Sequence, residues 1–162
     1  MDDFDVEASG GCQCGAIRYR ATRFVGNPHI CHCRMCQKAV GNYFAALISV
    51  RHAHFSWTRG TPARFRSSEH VDRGFCSQCG TPLFYEDITG DHISVTLGSL
   101  DDPNLFPPTT QDGMQGRVAF FDSLHALPDT GDTGSDDPEW AAAIAATNRQ
   151  HPDHDTATWP PK

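Results

Sequence analysis

The chain's seven cysteines fall into three groups along its 162 residues: Cys12-x-Cys14, Cys31-x-Cys33-x-x-Cys36 and Cys76-x-x-Cys79. This spacing constrains the fold more than any other feature. A Cys-x-x-Cys knuckle presents two thiolates to one zinc about 2.3 Å away, and Gly80, directly after Cys79, relaxes the backbone where such a knuckle turns. An odd number of cysteines cannot pair fully into disulfides. The spacings also miss the ferredoxin patterns of iron–sulfur proteins. Two separated pairs complete a tetrahedral metal, so Cys12, Cys14, Cys76 and Cys79 are expected to form a closed, structural zinc site. Cys31, Cys33 and Cys36 remain, and are expected to hold a second zinc with one position open, the usual catalytic arrangement. His29 and His32 are the candidates for closing that position. His29 is better placed, because His32 lies between two ligands.

The pattern around the cysteines predicts a mainly β fold of small antiparallel sheets, stapled by the four-cysteine zinc site and followed by a short C-terminal helix. Ile17-Arg18-Tyr19-Arg20 alternates apolar and polar, as a half-buried strand does. Residues 43–50 form a short apolar, β-prone run. Residues 55–58 and 63–66 alternate again around the turn Arg59-Gly60-Thr61-Pro62. Residues 83–86 and 93–97 flank Thr89-Gly90-Asp91, which predicts a hairpin. Val118–Phe121 is expected as a last strand, and helical periodicity is nearly absent between residues 10 and 125. Structural zinc in small domains contributes roughly 10–16 kcal/mol of apparent binding energy, which can offset a thin apolar core.

The ends differ in character. Residues 1–7 carry four acids and no base, and residues 122–162 carry eight acids against Arg149 and Lys162. The segment between them holds eleven bases and eight acids, a formal +3. Both ends are expected to be solvated arms. The organisation expected is an acidic N-terminal arm at 1–9, a zinc-binding mainly β domain at 10–127, and an acidic linker, short helix and loose tail at 128–162. Asp137-Pro138-Glu139 opens the helix well, with Asp as N-cap, Pro at the first position and an acid in the first turn. That helix is expected to pack back on the domain or on a partner. The mildly basic middle suits a small anionic ligand and is too weakly basic for nucleic acid. No apolar stretch approaches the ~20 residues of a membrane span. The acidic start lacks the basic-then-apolar layout of a secretory signal, so the expected address is cytoplasmic. Nothing in the pattern sets the oligomeric state.

Three segments, Gly10-Gly11-Cys12-Gln13-Cys14-Gly15, Cys31-His32-Cys33-Arg34-Met35-Cys36-Gln37-Lys38 and Phe75-Cys76-Ser77-Gln78-Cys79-Gly80, resemble the glutathione-dependent formaldehyde-activating enzyme family. Val95–Asp101 is similar to that family's late strand and following turn. The family takes in small zinc carbon–sulfur lyases and the centromere protein V-like domain. The resemblance covers roughly residues 10–125. It implies a mainly β fold with a closed and an open zinc, and glutathione as co-substrate. It also implies carbon–sulfur chemistry on a small thiol–aldehyde adduct: joining glutathione and formaldehyde to S-(hydroxymethyl)glutathione, or the reverse. The stretch Phe120–Pro128 and the helix-bearing end after residue 128 depart from the family pattern.

Three thiolates donate so much charge that a metal-bound water is acidified less than at a three-histidine site, which argues against hydrolysis. A substrate thiol suits the open position better, held as a nucleophile for a carbonyl carbon. In that reading Cys31, Cys33 and Cys36 are the catalytic ligands. Lys38 steadies an anion or passes a proton, and Arg34 meets a glutathione carboxylate. The rival is a non-catalytic, zinc-stabilised binding module whose acidic ends are docking arms.

Overall fold

The computed structural model of the chain describes residues 3–160; Met1, Asp2, Pro161 and Lys162, the tips of the two acidic ends, lie outside them. The strands are β1 (Ala8–Gly11), β2 (Arg18–Ala21), β3 (His29–Cys31), β4 (Ala45–Arg51), β5 (Phe55–Arg59), β6 (Ala63–Arg66), β7 (Val71–Phe75), β8 (Pro82–Asp87), β9 (His92–Thr96) and β10 (Thr110–Asp112). Two α-helices join them, α1 (Arg34–Val40) and α2 (Pro138–Thr147). The fold is mainly β, as the cysteine and alternation patterns predict. One sheet has the order β1-β2-β5, the other β10-β3-β4-β9-β8-β7-β6. All pairings are antiparallel except β10 with β3.

The apolar faces of the two sheets meet in one core, with Tyr19, Phe24, Ile48, Val50, Leu83, Val95 and Phe106 essentially inaccessible to solvent. Each such side chain contributes roughly 1.5–3 kcal/mol by leaving water. The predicted hairpin forms between β8 and β9, with Tyr85 opposite Ser94. The 59–62 turn plays a different part from a hairpin: it carries the chain from β5 in one sheet to β6 in the other. Gly60 is needed there, because its φ is +65° and a Cβ would sit 2.3 Å from the Ala16 carbonyl oxygen.

Several expectations need correction. The alternation at 17–20 fails at Arg18, which is buried because Asp101 and Asp155 pair with it. Val118–Phe121 is not a strand. Phe121 N–H donates to the Val118 carbonyl (3.1 Å) and a 3-10 turn follows over Phe121–Ala126. The Phe121 ring packs edge-on against His32 (4.7 Å), which fixes it over the start of α1. The edge strand after β9 is instead the polar β10. Helix α1 lies inside the region where no helical periodicity is visible. Helix α2 forms with the predicted cap, Asp137 accepting from Trp140 N–H (3.0 Å). None of its residues is buried, however, and Trp140 and Ile144 face solvent. Among the described residues no helix is long and apolar enough to cross a membrane.

The ends are less loose than their charge suggests. Phe4 bridges Phe24, and Asp3 and Asp5 lie beside Arg23. The stretch after His151, expected as a loose tail, is docked. His151 is 3% exposed, its N–H donates to the Gln13 carbonyl (2.7 Å), and Trp159 Nε1 donates to the Cys14 carbonyl (2.6 Å). The composition of this stretch is polar, but its anchors are specific: a buried arginine, a buried histidine and one indole.

Candidate metal centres and an adjoining cavity

Cys12 and Cys14 lie in the β1–β2 connection, Cys76 and Cys79 in the β7–β8 connection. Those hairpins belong to different sheets, and the fold brings the four sulfurs within 4.8 Å of one another. Cys12 and Cys14 sulfurs are 3.6 Å apart, Cys14 and Cys76 sulfurs 3.9 Å. The edge of a tetrahedron with zinc–sulfur bonds of about 2.3 Å is about 3.8 Å, so the spacing fits a divalent metal without rearrangement. Ile17 N–H points at the Cys12 sulfur (3.2 Å) and Gln78 N–H at the Cys76 sulfur (3.4 Å), as knuckle amides do.

Cys31, Cys33 and Cys36 also bring their sulfurs within 4.8 Å of one another. Cys31 ends β3, Cys33 caps α1 by accepting from Cys36 N–H (3.4 Å), and Cys36 sits in the first turn. The short helix ends at Gly41, whose φ of 66° lets its N–H return to the Gln37 carbonyl. Among the described residues no histidine or carboxylate joins this set. His29 Nδ1 donates to the Asn27 carbonyl (2.7 Å), and its Nε2 faces Asp112 (3.8 Å). His32 is fully buried, with Nε2 against Gln111 (3.0 Å).

The donor chemistry of both clusters calls for a cation. Burial pushes Cys12 up to about 12 and Cys31 up to about 12. Burial works the same way on Cys79 and Cys33, but there hydrogen bonds outweigh it. The Thr81 hydroxyl and N–H bring Cys79 down to about 6, and the Cys36 N–H lowers Cys33. Each cluster thus holds one thiol shifted up by burial and one shifted down by hydrogen bonds. Full deprotonation of either set needs a compensating positive charge. All seven cysteines are free of disulfides.

The clusters differ in what covers them. The docked C-terminal segment lies against the four-cysteine cluster. His151 and Trp159 reach Gln13 and Cys14, and Arg59 donates to the Gly15 carbonyl (3.0 Å) and the Thr156 carbonyl (2.5 Å). Gly15 has φ +75°, and a Cβ there would lie 2.0 Å from the His151 ring. Arg18 makes two bonds to Asp101 (2.7 and 2.5 Å) and one to Asp155 (2.8 Å). Burial lowers Asp101's tendency to ionise, but Arg18 and Ser9 outweigh it and hold the carboxyl below its ordinary range.

Beside the three-cysteine cluster is a cavity of about 460 Å³. Val40, Ala45, Leu47 and Tyr85 pack against the cluster and also line the cavity. Arg73 joins the two: its Nη2 is 3.5 Å from the Cys36 sulfur, and its guanidinium lies over the Tyr85 ring (5.2 Å). Of the two cations singled out from sequence, Lys38 lines the cavity and Arg34 does not. Arg34 instead donates to Gln37 (2.9 Å), whose amide holds the His32 and Gly116 carbonyls. Arg73 escaped sequence reasoning. It stands three residues before Cys76, yet its side chain serves the other cluster, and only the β7–β8 pairing shows this.

Comparison with known proteins agrees with this geometry. Residues 7–115 match the family described as glutathione-dependent formaldehyde-activating enzyme. Over 79 residues the chain is 29% identical to an uncharacterized lyase of Schizosaccharomyces pombe, a match covering 49% of this chain and 57% of that one. The chain thus spans little more than half the length of that relative. A crystal structure of a Rhodobacter sphaeroides protein shares the fold, with a TM-score of 0.53 and 18% identity over 64% of this chain and 98% of that one. Helix α2 and the docked C-terminal segment lie beyond the family match.

Proposed function

We infer the function from the premise that this chain belongs to the glutathione-dependent formaldehyde-activating enzyme family: it is a zinc-dependent carbon–sulfur lyase or synthase. Its substrate is the adduct of glutathione, or a similar thiol, with formaldehyde or another small aldehyde. Cys12, Cys14, Cys76 and Cys79 hold one zinc structurally, and Cys31, Cys33 and Cys36 hold the other. At the three-cysteine cluster the metal, when bound, supplies a thiophilic Lewis acid with one position left for a ligand from outside the protein.

The observation that carries this reading is an incomplete donor set adjoining a cavity. Three sulfurs converge, and no fourth donor joins them among the described residues. Arg73 sets a positive charge against Cys36 and faces the cavity, so it favours an anionic sulfur there. Lys38, exposed on the cavity rim, meets a substrate carboxylate. Arg34 acts through Gln37 to position the start of α1. Seven unpaired cysteines suit a reducing, cytoplasmic setting.

The test is the exchange between free and glutathione-bound formaldehyde, followed by magnetisation-transfer NMR with metal-replete protein. Exchange should rise at least tenfold above buffer and return to the buffer rate with Cys33→Ser. Exchange at the buffer rate with wild-type protein would favour a non-catalytic, zinc-stabilised binding module.

A further inference from the structure

The cavity beside the triad matches neither half of the adduct that the family name describes. Its walls are mainly apolar and aromatic: Phe65, Phe75, Phe84 and Tyr85 from one side, Leu47 and Val40 from the other. A volume of about 460 Å³ takes a drug-sized group, whereas formaldehyde brings no side group at all. Glutathione carries an ammonium, two carboxylates and two peptide groups. The lining offers no acid for the ammonium, and of its three side-chain hydroxyls two, those of Ser67 and Thr96, are engaged within the protein; the third is that of Tyr85. Ser67 accepts from Arg73 Nε (3.2 Å) and Thr96 donates to the Pro82 carbonyl (2.9 Å).

The charged lining residues are both cations, and they are placed unequally. Arg73 is bound to the Cys36 sulfur, to Ser67 and over Tyr85, so it marks the end of the cavity where the sulfur of an adduct arrives. Lys38 is exposed on the rim and pairs with no carboxylate among the described residues. A ligand that satisfies the whole cavity has sulfur at the Arg73 end, an apolar body between the aromatic rings, and an anion at Lys38.

We propose that this cavity seats a bulky apolar group, ending in a carboxylate, that is attached to the aldehyde carbon. The preferred substrates are then hemithioacetals of aromatic or branched carboxylate-bearing aldehydes, with the formaldehyde adduct a poor one. The proposal rests on the carbon–sulfur reading of the triad. The reaction is R–CH(OH)–S–R′ giving R–CHO and R′–SH. The carbon–sulfur bond breaks and its electron pair leaves on sulfur, while the O–H pair becomes the second carbonyl bond. The hydroxyl proton passes to the thiolate or to solvent. No electrons are gained or lost overall, and addition runs the same steps in reverse.

Two measurements separate the proposal from its premise. The first is the catalysed exchange of glutathione with 4-carboxybenzaldehyde and with formaldehyde under matched conditions. The second is calorimetric binding of 4-carboxybenzyl alcohol, which cannot form an adduct, to wild-type protein and to Cys33→Ser. The proposal expects kcat/KM for the aromatic aldehyde to exceed that for formaldehyde at least tenfold. It expects the alcohol to bind both proteins. Ala39→Trp, which fills the cavity from α1, should lower the aromatic-to-formaldehyde ratio at least tenfold. Lys38→Gln, at an exposed position that leaves folding intact, should weaken the carboxylate-bearing alcohol severalfold while sparing benzyl alcohol. Acceleration of formaldehyde exchange alone, with no binding of the alcohol, overturns the proposal and leaves the premise standing. Binding of the alcohol with neither aldehyde accelerated removes the premise, and the proposed substrates with it.

Discussion

The four-cysteine cluster draws its sulfurs from two hairpins in different sheets, whereas the three-cysteine cluster draws them all from residues 31–36. The first lies under a docked C-terminal segment anchored by a buried arginine and a buried histidine. The second adjoins an apolar cavity of about 460 Å³ through shared neighbours and is touched by one guanidinium. On the proposed reading the same donor, thiolate sulfur, serves two purposes. Where the ligands come from distant parts of the chain, metal binding and folding are one equilibrium. Where they come from one local turn, the metal can be lost with little effect on the rest. In the function proposed above, the missing donor is the position for substrate.

The largest difference between the clusters should appear on removing one ligand from each. Cys76→Ser should leave no cooperative thermal transition, because roughly 10–16 kcal/mol of metal binding is comparable to a whole domain's stability of roughly 5–15 kcal/mol. Cys33→Ser should melt cooperatively within about 10 °C of wild type, which at roughly 2–4 °C per kcal/mol is a loss of a few kcal/mol. Comparable losses in scanning calorimetry would erase the division between structural and open sites.

A second difference concerns access. Ending the chain at Asn148 removes the Trp159, His151 and Asp155 contacts to the Cys12–Cys14 turn and Arg18. Metal loss from the four-cysteine cluster to a chelator should then quicken at least tenfold, while loss from the triad stays within about twofold. If both rates rise together, the segment stabilises the domain generally and does not shield one cluster.

Glutathione and S-methylglutathione sharpen the contrast from the ligand side. The thioether keeps every other contact but cannot offer an anionic sulfur, so calorimetry should find it about tenfold weaker or worse, a loss of about 1.4 kcal/mol or more. Binding of glutathione should also strengthen as pH rises toward full ionisation of the thiol. Equal affinities for the two ligands would mean that sulfur does not reach the triad.

The smallest expected effect is a pH dependence of the covering segment. Burial lowers the pKa of His151 from 6.5, with Arg18 and Arg59 acting in the same direction; the hydrogen bond to the Pro152 carbonyl and the charge of Asp101 oppose them and are outweighed. Nδ1 donating to the Pro152 carbonyl (2.7 Å) leaves Nε2 to accept from Arg59 (3.2 Å), an arrangement that suits the neutral ring. A group whose folded pKa is depressed stabilises the docked state fully above its free pKa and loses that contribution as pH falls through the folded value. Docking should therefore weaken as pH drops below 6.5, and NMR titration should place the His151 midpoint under that value. A midpoint at or above 6.5 would contradict the docked, neutral histidine.

Much of this contrast can be read in the sequence, and unequally. The sulfur groupings follow from spacing alone, because Cys-x-x-Cys and Cys-x-Cys are local geometry. The strands at 45–51, 55–59, 63–66, 82–87 and 92–96 were signalled by alternation or β-prone runs, as was the capped helix at 138–147. What escaped depends on long-range partners. Arg18 reads as the polar face of a strand until Asp101 and Asp155 arrive to neutralise it. Helix α1, at seven residues, is about two turns, too short for a period, and is fixed by its cysteine cap and Gly41. Phe120–Phe121 is β-prone locally, but its rings are used by Tyr43 and by His32 and Phe44. Arg73 and the docked tail are visible only once hairpins and ends are placed in space.

The central claim is that one cluster is closed and the other keeps a position for a thiol. Cobalt-substituted protein tests it most directly, since thiolate-to-cobalt charge transfer reports each new sulfur ligand. Wild-type protein should take up two cobalt ions per chain and Cys33→Ser one. Glutathione should deepen the charge-transfer band of wild type and leave that of Cys33→Ser unchanged. Uptake of a single ion by wild type, or a band indifferent to glutathione, would contradict the account.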